Sequence, residues 1–371
     1  FETAFQSVLE QFRPGAPYKI VETSGTGTSG EAIIEASDGT RLRVVAEIDE
    51  SQVITTLFIQ PTEQPELEDP PESVEEAFTR LSEIGDVRAI TAEVVDGACV
   101  TINELSSDQP APLGSVFKLY VLAALGEAVA DGDVAWEDEL TVRDELKSIP
   151  TGTLQNRPDG DVVSIGDAAS LMISISDNTA ADHLIDLLGR ESVESVQAEY
   201  GNTMPELNTP FLNTREFAAL KIGPGSGLRD PQWIDGDEPT RRALLDQLAD
   251  ISADDLPVAE WVEPIDPDVV EWFATPSDLC TLAVRIVDLA GVVPEIGDIL
   301  AVNPGVLAAG GVWDNIWFKG GSEPGLAAAW WVTSVNDRVF VTAGSVVDTD
   351  APIDTTEAIL LMAAARDLLE P

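Results

Sequence analysis

The sequence predicts an α+β protein in two parts: a small helix-plus-sheet module, then a larger domain whose antiparallel sheet is interrupted by an all-helical block. Three observations predict it. β-Branched, alternating runs crowd residues 18–60, a proline- and acid-rich stretch follows, and two pairs of strand-like segments bracket a long helical region.

Each element follows from its local pattern. Phe5, Val8, Leu9 and Phe12 share one face of a helix over 1–12. Runs over 18–22, 31–36, 42–49 and 53–60 read as strands, with Asp38-Gly39 as a hairpin turn between two of them. Residues 1–61 are therefore expected to form the small module, and 62–72, with Pro65, Pro70 and Pro71 among acids, a linker. The second domain is expected over 73–371. Ser73 caps a helix running through Leu81, with Glu76 placed to complete a capping box. Strands over 89–95 and 98–104 follow. The chain then reads as mostly helical to Trp317, closes with strands over 326–335 and 338–346, and ends in a helix starting near Thr355.

Composition narrows the function. The 371 residues hold 20 Lys+Arg against 67 Asp+Glu, a formal net charge of -47, which repels phosphate backbones and anionic membrane surfaces. Nucleic acid is thereby excluded as an expected partner, while 44% hydrophobic residues provide for a real core. The acidity itself reads as a solvated surface and identifies no substrate. Cys99 and Cys280 belong to no metal-spaced cluster; their spacing allows a disulfide without implying one, and we favour two buried free thiols. His183, the single histidine, lies on a helical stretch and is expected to pack or hydrogen-bond, so a Ser-His-Asp triad has little to draw on. We expect no metal and no cofactor. No apolar run is long enough to span a bilayer. The chain begins at Phe1, consistent with a removed targeting segment, and we expect an exported monomer, secreted or lipid-anchored.

Three short motifs carry chemistry. In Gly114-Ser115-Val116-Phe117-Lys118 a serine opens an apolar helix and a lysine follows one turn later on the same side. A lysine buried beside a serine loses stability in its charged form and can act as a base. Ser176-Asp177-Asn178 falls between two helical stretches, 165–175 and 179–188, where it offers a hydroxyl for proton relay and an amide for a substrate. Lys319-Gly320-Gly321-Ser322 precedes the late strand pair; its glycines allow close approach of a substrate and its lysine offers positive charge. Taken singly, the three also read as a serine cap, a helix N-cap and a turn. Taken together they are specific, because two of only five lysines in this acidic chain occupy the two motifs that need one.

Order and context of these motifs resemble the Ser-x-x-Lys, Ser-Asp-Asn and Lys-Thr-Gly set of class A β-lactamases and penicillin-binding proteins over residues 73–371, including the longer run Ser176-Asp177-Asn178-Thr179-Ala180-Ala181. The resemblance implies a class A β-lactamase-like domain and a serine hydrolase that works through an acyl-enzyme on a β-lactam or related amide or ester. It implies Ser115 as nucleophile, Lys118 as base, Ser176 as proton shuttle and Lys319 as the third-motif lysine. Asn178, Gly321 and Ser322 would contact substrate, with the backbone amides of Ser115 and Ser322 as oxyanion hole.

Two departures stand out. Where the family resembles Glu-Pro-Glu-Leu-Asn, this chain reads Met204-Pro205-Glu206-Leu207-Asn208, so a thioether replaces the deacylating carboxylate and Glu206 is the remaining candidate base. Gly320 replaces the usual threonine or serine, removing a hydroxyl that helps bind a β-lactam carboxylate. With the small N-terminal module, these look similar to a subgroup that includes the β-lactamase-like protein of clavulanic acid biosynthesis and actinobacterial lipoproteins carrying a cystatin-like or steroid-isomerase-like domain. A non-hydrolytic binding module for β-lactams or cell-wall peptides, and a D-alanyl-D-alanine peptidase, are the alternatives. Residues 221–272, acidic and proline-rich, read as an insertion placed to cover the cleft.

Overall fold

The computed structural model describes residues 19–26, 29–35, 41–48, 54–61, 66–306 and 313–369. It divides into two compact units, 1–66 and 67–371. In the first, β1 (Lys19–Thr26), β2 (Ser29–Glu35), β3 (Arg41–Ile48) and β4 (Ile54–Pro61) form an antiparallel sheet in sequence order. The expected helix over 1–12 and the Asp38-Gly39 turn lie outside the described residues.

The second unit is built on a five-stranded antiparallel sheet. Its order is β11 (Asn315–Glu323), β12 (Leu326–Val335), β13 (Arg338–Val347), β5 (Asp86–Val95), β6 (Ala98–Leu105). Early and late strands meet where Thr91 pairs with Thr342. β12 reads Leu-Ala-Ala-Ala-Trp-Trp-Val without polar alternation because both of its faces are covered. Ala327, Ala329 and Trp331 face α1 (Val74–Ile84) and α10 (Thr355–Asp367), while Ala328, Trp330 and Val332 join the core of the helical block. Ser73 caps α1 through the Glu76 amide at 3.1 Å, yet the expected capping box is only half formed. Glu76 reaches back to the amide of Glu72 at 2.9 Å, one residue before the cap.

The helical block inserts between β6 and β11. Small pairs β7 (Ala111–Pro112) with β10 (Phe273–Ala274), and β8 (Glu139–Thr141) with β9 (Val162–Ser164), stitch it together. Its axis is α2 (Lys118–Asp131), apolar on all sides and buried from Lys118 to Gly126, as a central helix must be. Around it stand α3 (Ile165–Ser174), α4 (Asn178–Leu188), α5 (Arg190–Glu199), α6 (Thr214–Lys221), α7 (Glu238–Leu248), α8 (Pro276–Ala290) and α9 (Glu295–Ala301). The 221–272 segment packs inward through Trp272, whose ring stacks on Phe117 at 3.8 Å and on Phe217 at 4.8 Å.

Two expectations are corrected. Cys99 on β6 and Cys280 on α8 are not free thiols but a disulfide across 181 residues, formed because α8 packs against the sheet edge. Two late strands were expected and three are found: the third motif, read at the edge of the late strand pair, lies within β11, a strand of its own whose lack of apolar alternation hid it.

Candidate active site

Ser115 sits in the 3₁₀ turn Gly114–Phe117 that leads into α2, and Lys118 opens the helix, so their side chains emerge one turn apart. Gly114 takes the left-handed conformation, φ 48°, which a side chain would strain. A Cβ there would also lie 2.9 Å from the Ser322 amide. Across the gap Gly321 is equally constrained: a Cβ would overlap the Leu113 carbonyl oxygen and stand 2.6 Å from the Ser115 amide. These two glycines allow β11 to close on the nucleophile turn, bringing the backbones of Ser115 and Ser322 side by side.

Ser176 supplies the third wall. It is a non-glycine residue at φ 58°, a costly conformation that turns its hydroxyl into the cleft between α3 and α4. Asp177 holds the loop there. One carboxylate oxygen caps α4 through the Ala180 amide at 2.9 Å, and the other accepts from the Thr153 and Leu154 amides at 2.6 and 2.8 Å. Gly152 passes so close to this carboxylate that no side chain fits.

The lysines meet on Ser176. Lys118 Nζ lies 3.3 Å from Ser115 Oγ, 3.1 Å from Ser176 Oγ, and 2.6 Å from both the Ser176 carbonyl oxygen and Asn178 Oδ1. Lys319 Nζ donates to Ser176 Oγ at 3.1 Å and to the Gly320 carbonyl at 2.6 Å. Lys118 is fully buried, and desolvation lowers its pKa to about 7 although Asp177 and Asp182 pull the other way. Lys319, 2% exposed, is held well below the ordinary lysine range by burial and then by Lys118. A neutral Lys118 amine has two N–H donors and one lone pair. Its two shortest partners are oxygens that only accept, so the lone pair is left for the hydroxyls of Ser115 and Ser176. That is the arrangement of a base.

The sequence-predicted residues are not all brought together. Ser115, Lys118, Ser176 and Lys319 form one hydrogen-bonded group, with Gly321 and the exposed Ser322 alongside. Asn178 joins the group through its oxygen, which accepts from Lys118, while one N–H of its amide donates to the Ile149 carbonyl at 3.1 Å. Glu206 lies elsewhere, exposed on the turn Pro205–Asn208, where it lines a cavity of about 460 Å³ with Thr209, Gly236, Glu238 and Arg241. That turn is pinned by Asn208, whose side chain bonds both the Phe273 amide and carbonyl, at 2.7 and 2.8 Å. His183 is structural: Nε2 accepts from the Arg143 amide at 2.9 Å while Nδ1 meets the Thr179 carbonyl at 2.7 Å.

Sequence reasoning missed the buried charges around the group. Asp182, six residues after Ser176, receives the amides of Thr214 and Arg215 at 2.7 and 3.0 Å and so anchors the start of α6; burial raises its pKa to about 7. Glu271 accepts the Gly114 amide at 3.0 Å, and Lys221 pairs with Glu323, one residue beyond Ser322. The available signal was lysine scarcity, since Lys221 is a third of the five.

The fold has counterparts among known proteins. The Beta-lactamase enzyme family matches residues 80–238. A β-lactamase from Sphaerobacter thermophilus is 19% identical over 80% of this chain and 95% of its own, with a TM-score of 0.56. A mutant of PBP-A, solved as an acyl-enzyme complex with penicillin G, is 20% identical over 81% and 97%, with a TM-score of 0.54. A β-lactamase from Xanthomonas campestris is 15% identical over 80% and 97%, with a TM-score of 0.55. No curated protein matches the chain.

Proposed function

We propose that the chain is a member of the serine β-lactamase and penicillin-binding-protein superfamily and works as a serine acyl-transferring hydrolase on a β-lactam or a related amide or ester, a reading supported by the family match over residues 80–238 and by the shared fold. One observation carries the reading: a desolvated Lys118 amine between the hydroxyls of Ser115 and Ser176, with Lys319 on the far side of Ser176. In the proposed step the Lys118 lone pair takes the Ser115 proton as Oγ attacks the carbonyl carbon. The amides of Ser115 and Ser322 receive the developing oxyanion, an interaction typically worth about 2.7–4 kcal/mol per donor. The C–N or C–O bond then breaks, and the proton passes from Lys118 through the Ser176 hydroxyl to the leaving group, leaving an acyl ester on Ser115.

Release of that ester is the slow step in this proposal. Met204 offers no proton acceptor, and Glu206 faces a cavity shared with none of the four motif residues. In this proposal water is activated by the regenerated Lys118 amine. This supports a subgroup that acylates readily and turns over poorly, and it favours as second reading a binding module that captures a β-lactam or cell-wall peptide without releasing it. The disulfide persists in oxidising compartments, which supports export.

Burst kinetics with a p-nitrophenyl ester and with nitrocefin test the reading. One equivalent of product per enzyme, followed by slow turnover and abolished in Ser115→Ala, is expected. A burst unchanged in Ser115→Ala rules the proposal out.

A further inference from the structure

Beside the nucleophile turn lie two carboxylates and one amine, all buried: Glu271, Glu323 and Lys221. Nothing in the acyl-transfer chemistry above uses them. Burying three ionisable groups together is costly, and a group kept at such cost needs a reason.

Their connections supply one. Glu271 precedes β10, which pairs with β7, so its backbone runs beside the strand that leads into Gly114. The Leu113 amide donates to the Trp272 carbonyl at 2.9 Å, and Glu271 Oε2 accepts the Gly114 amide at 3.0 Å and the Trp272 amide at 2.9 Å. A single carboxylate oxygen thus ties down the residue in left-handed conformation immediately before Ser115. Glu323 stands on β11 immediately after Ser322, and its Oε1 is paired with Lys221, whose amine is clamped over the Phe217 ring at 4.8 Å and the Trp261 ring at 5.7 Å. The other oxygens, Glu271 Oε1 and Glu323 Oε2, have no hydrogen-bond partner. Burial raises both carboxyls above their ordinary range; repulsion from Glu323 adds to the rise of Glu271 and repulsion from Asp266 to that of Glu323, while the Lys221 ammonium pulls both the other way.

We propose that Glu271 is the positioning residue of the oxyanion hole: it fixes Gly114 and hence the direction of the Ser115 amide, while the Glu323–Lys221 pair fixes the facing Ser322 amide on β11. The inference rests on the acyl-enzyme reading of Ser115. The two donors belong to different elements, a turn and an edge strand, and each is braced from behind by a carboxylate on the residue beside it or bonded to it. Losing the brace leaves the ground-state cleft intact but misaims a donor at the moment charge develops, so the cost falls on the chemical step and not on encounter.

Two variants separate aim from folding. Glu271→Met keeps the volume, removes both acceptors, and leaves Lys221 paired with Glu323 alone, so no charge is stranded. Glu271→Gln keeps one oxygen to accept the Gly114 and Trp272 amides. The measurement is the first-order acylation constant and the pre-covalent dissociation constant for a fluorescent penicillin, from stopped-flow traces, with thermal midpoints taken in parallel. Expected are an acylation constant at least tenfold lower in Glu271→Met, a dissociation constant within threefold of wild type, and recovery of most of the lost rate in Glu271→Gln. The proposal is overturned if Glu271→Met acylates within threefold of wild type, or if both variants lose the rate equally. Labelling that survives Ser115→Ala overturns the acyl-enzyme reading instead, which keeps the two failures distinct.

Discussion

Raising the pH from 6 to 8 provides the most quantitative perturbation of the base. Lys118 is fully buried, desolvation is the largest influence on it, and its pKa falls from 10.5 to about 7. The free-amine fraction then climbs from about 9% to about 91% between pH 6 and 8, and the acylation rate of Ser115 rises about tenfold before levelling off. A solvated lysine predicts something different over the same interval: a rise of about a hundredfold with no plateau below pH 10. The same displacement bears on stability. Between pH 7 and 10.5 the unfolded chain holds a proton on this residue that the folded chain does not, so Lys118 imposes a cost of about 5 kcal/mol at and below pH 7 that is relieved as the pH rises through that window. The assay is single-turnover acylation by a fluorescent penicillin across pH 5–10, with Lys118→Met as the control expected to lose about 10²–10⁴ in rate. A profile still climbing at pH 9, or a Lys118→Met variant within threefold of wild type, refutes the assignment of Lys118 as base.

Three further outcomes follow from the same geometry. Gly321→Ala places a methyl group against the Leu113 carbonyl and the Ser115 amide, pushing β11 off the turn, so penicillin labelling should fall at least tenfold in a variant that remains folded by circular dichroism; unchanged labelling contradicts the close approach. Lys221→Met strands two buried carboxylates without a cation and should cost about 3–5 kcal/mol in urea unfolding, whereas a loss below about 1 kcal/mol means the pair is neutralised some other way. Replacing Cys99 and Cys280 together by Ser and Ala opens a loop of 181 residues, for which chain entropy sets a loss of about 5 kcal/mol, visible as a lower thermal midpoint in scanning calorimetry. A midpoint within a degree of wild type counts against that role.

The sequence made some of this legible and concealed the rest for identifiable reasons. Strands with β-branched alternation, such as 42–49 and 98–104, were readable because their period is local. So were the three motifs, since each holds its chemistry within four residues. β11 was not, because Asn315-Ile316-Trp317-Phe318-Lys319-Gly320-Gly321 has neither alternation nor continuous apolar character, and its place is set by β12 and by the glycines meeting the nucleophile turn. Asn178 was readable as part of the site but not as a ligand of Lys118, which depends on how two helices cross. The disulfide was open to the sequence only as one possibility and the Glu271–Glu323–Lys221 cluster escaped it, as they join segments separated by 181 residues and by roughly 50 to 100 residues of intervening fold. Such contacts belong to tertiary packing, and only the scarcity of lysine hinted at one of them.

Peptide mapping of the covalent adduct by tandem mass spectrometry tests the central claim most directly. After brief exposure to penicillin G or a fluorophosphonate at pH 8, the label should sit on the Ser115 hydroxyl, form much more slowly in Lys118→Met, and be absent from Ser115→Ala. A label on another side chain, or one that forms at the wild-type rate without the Lys118 amine, contradicts the account.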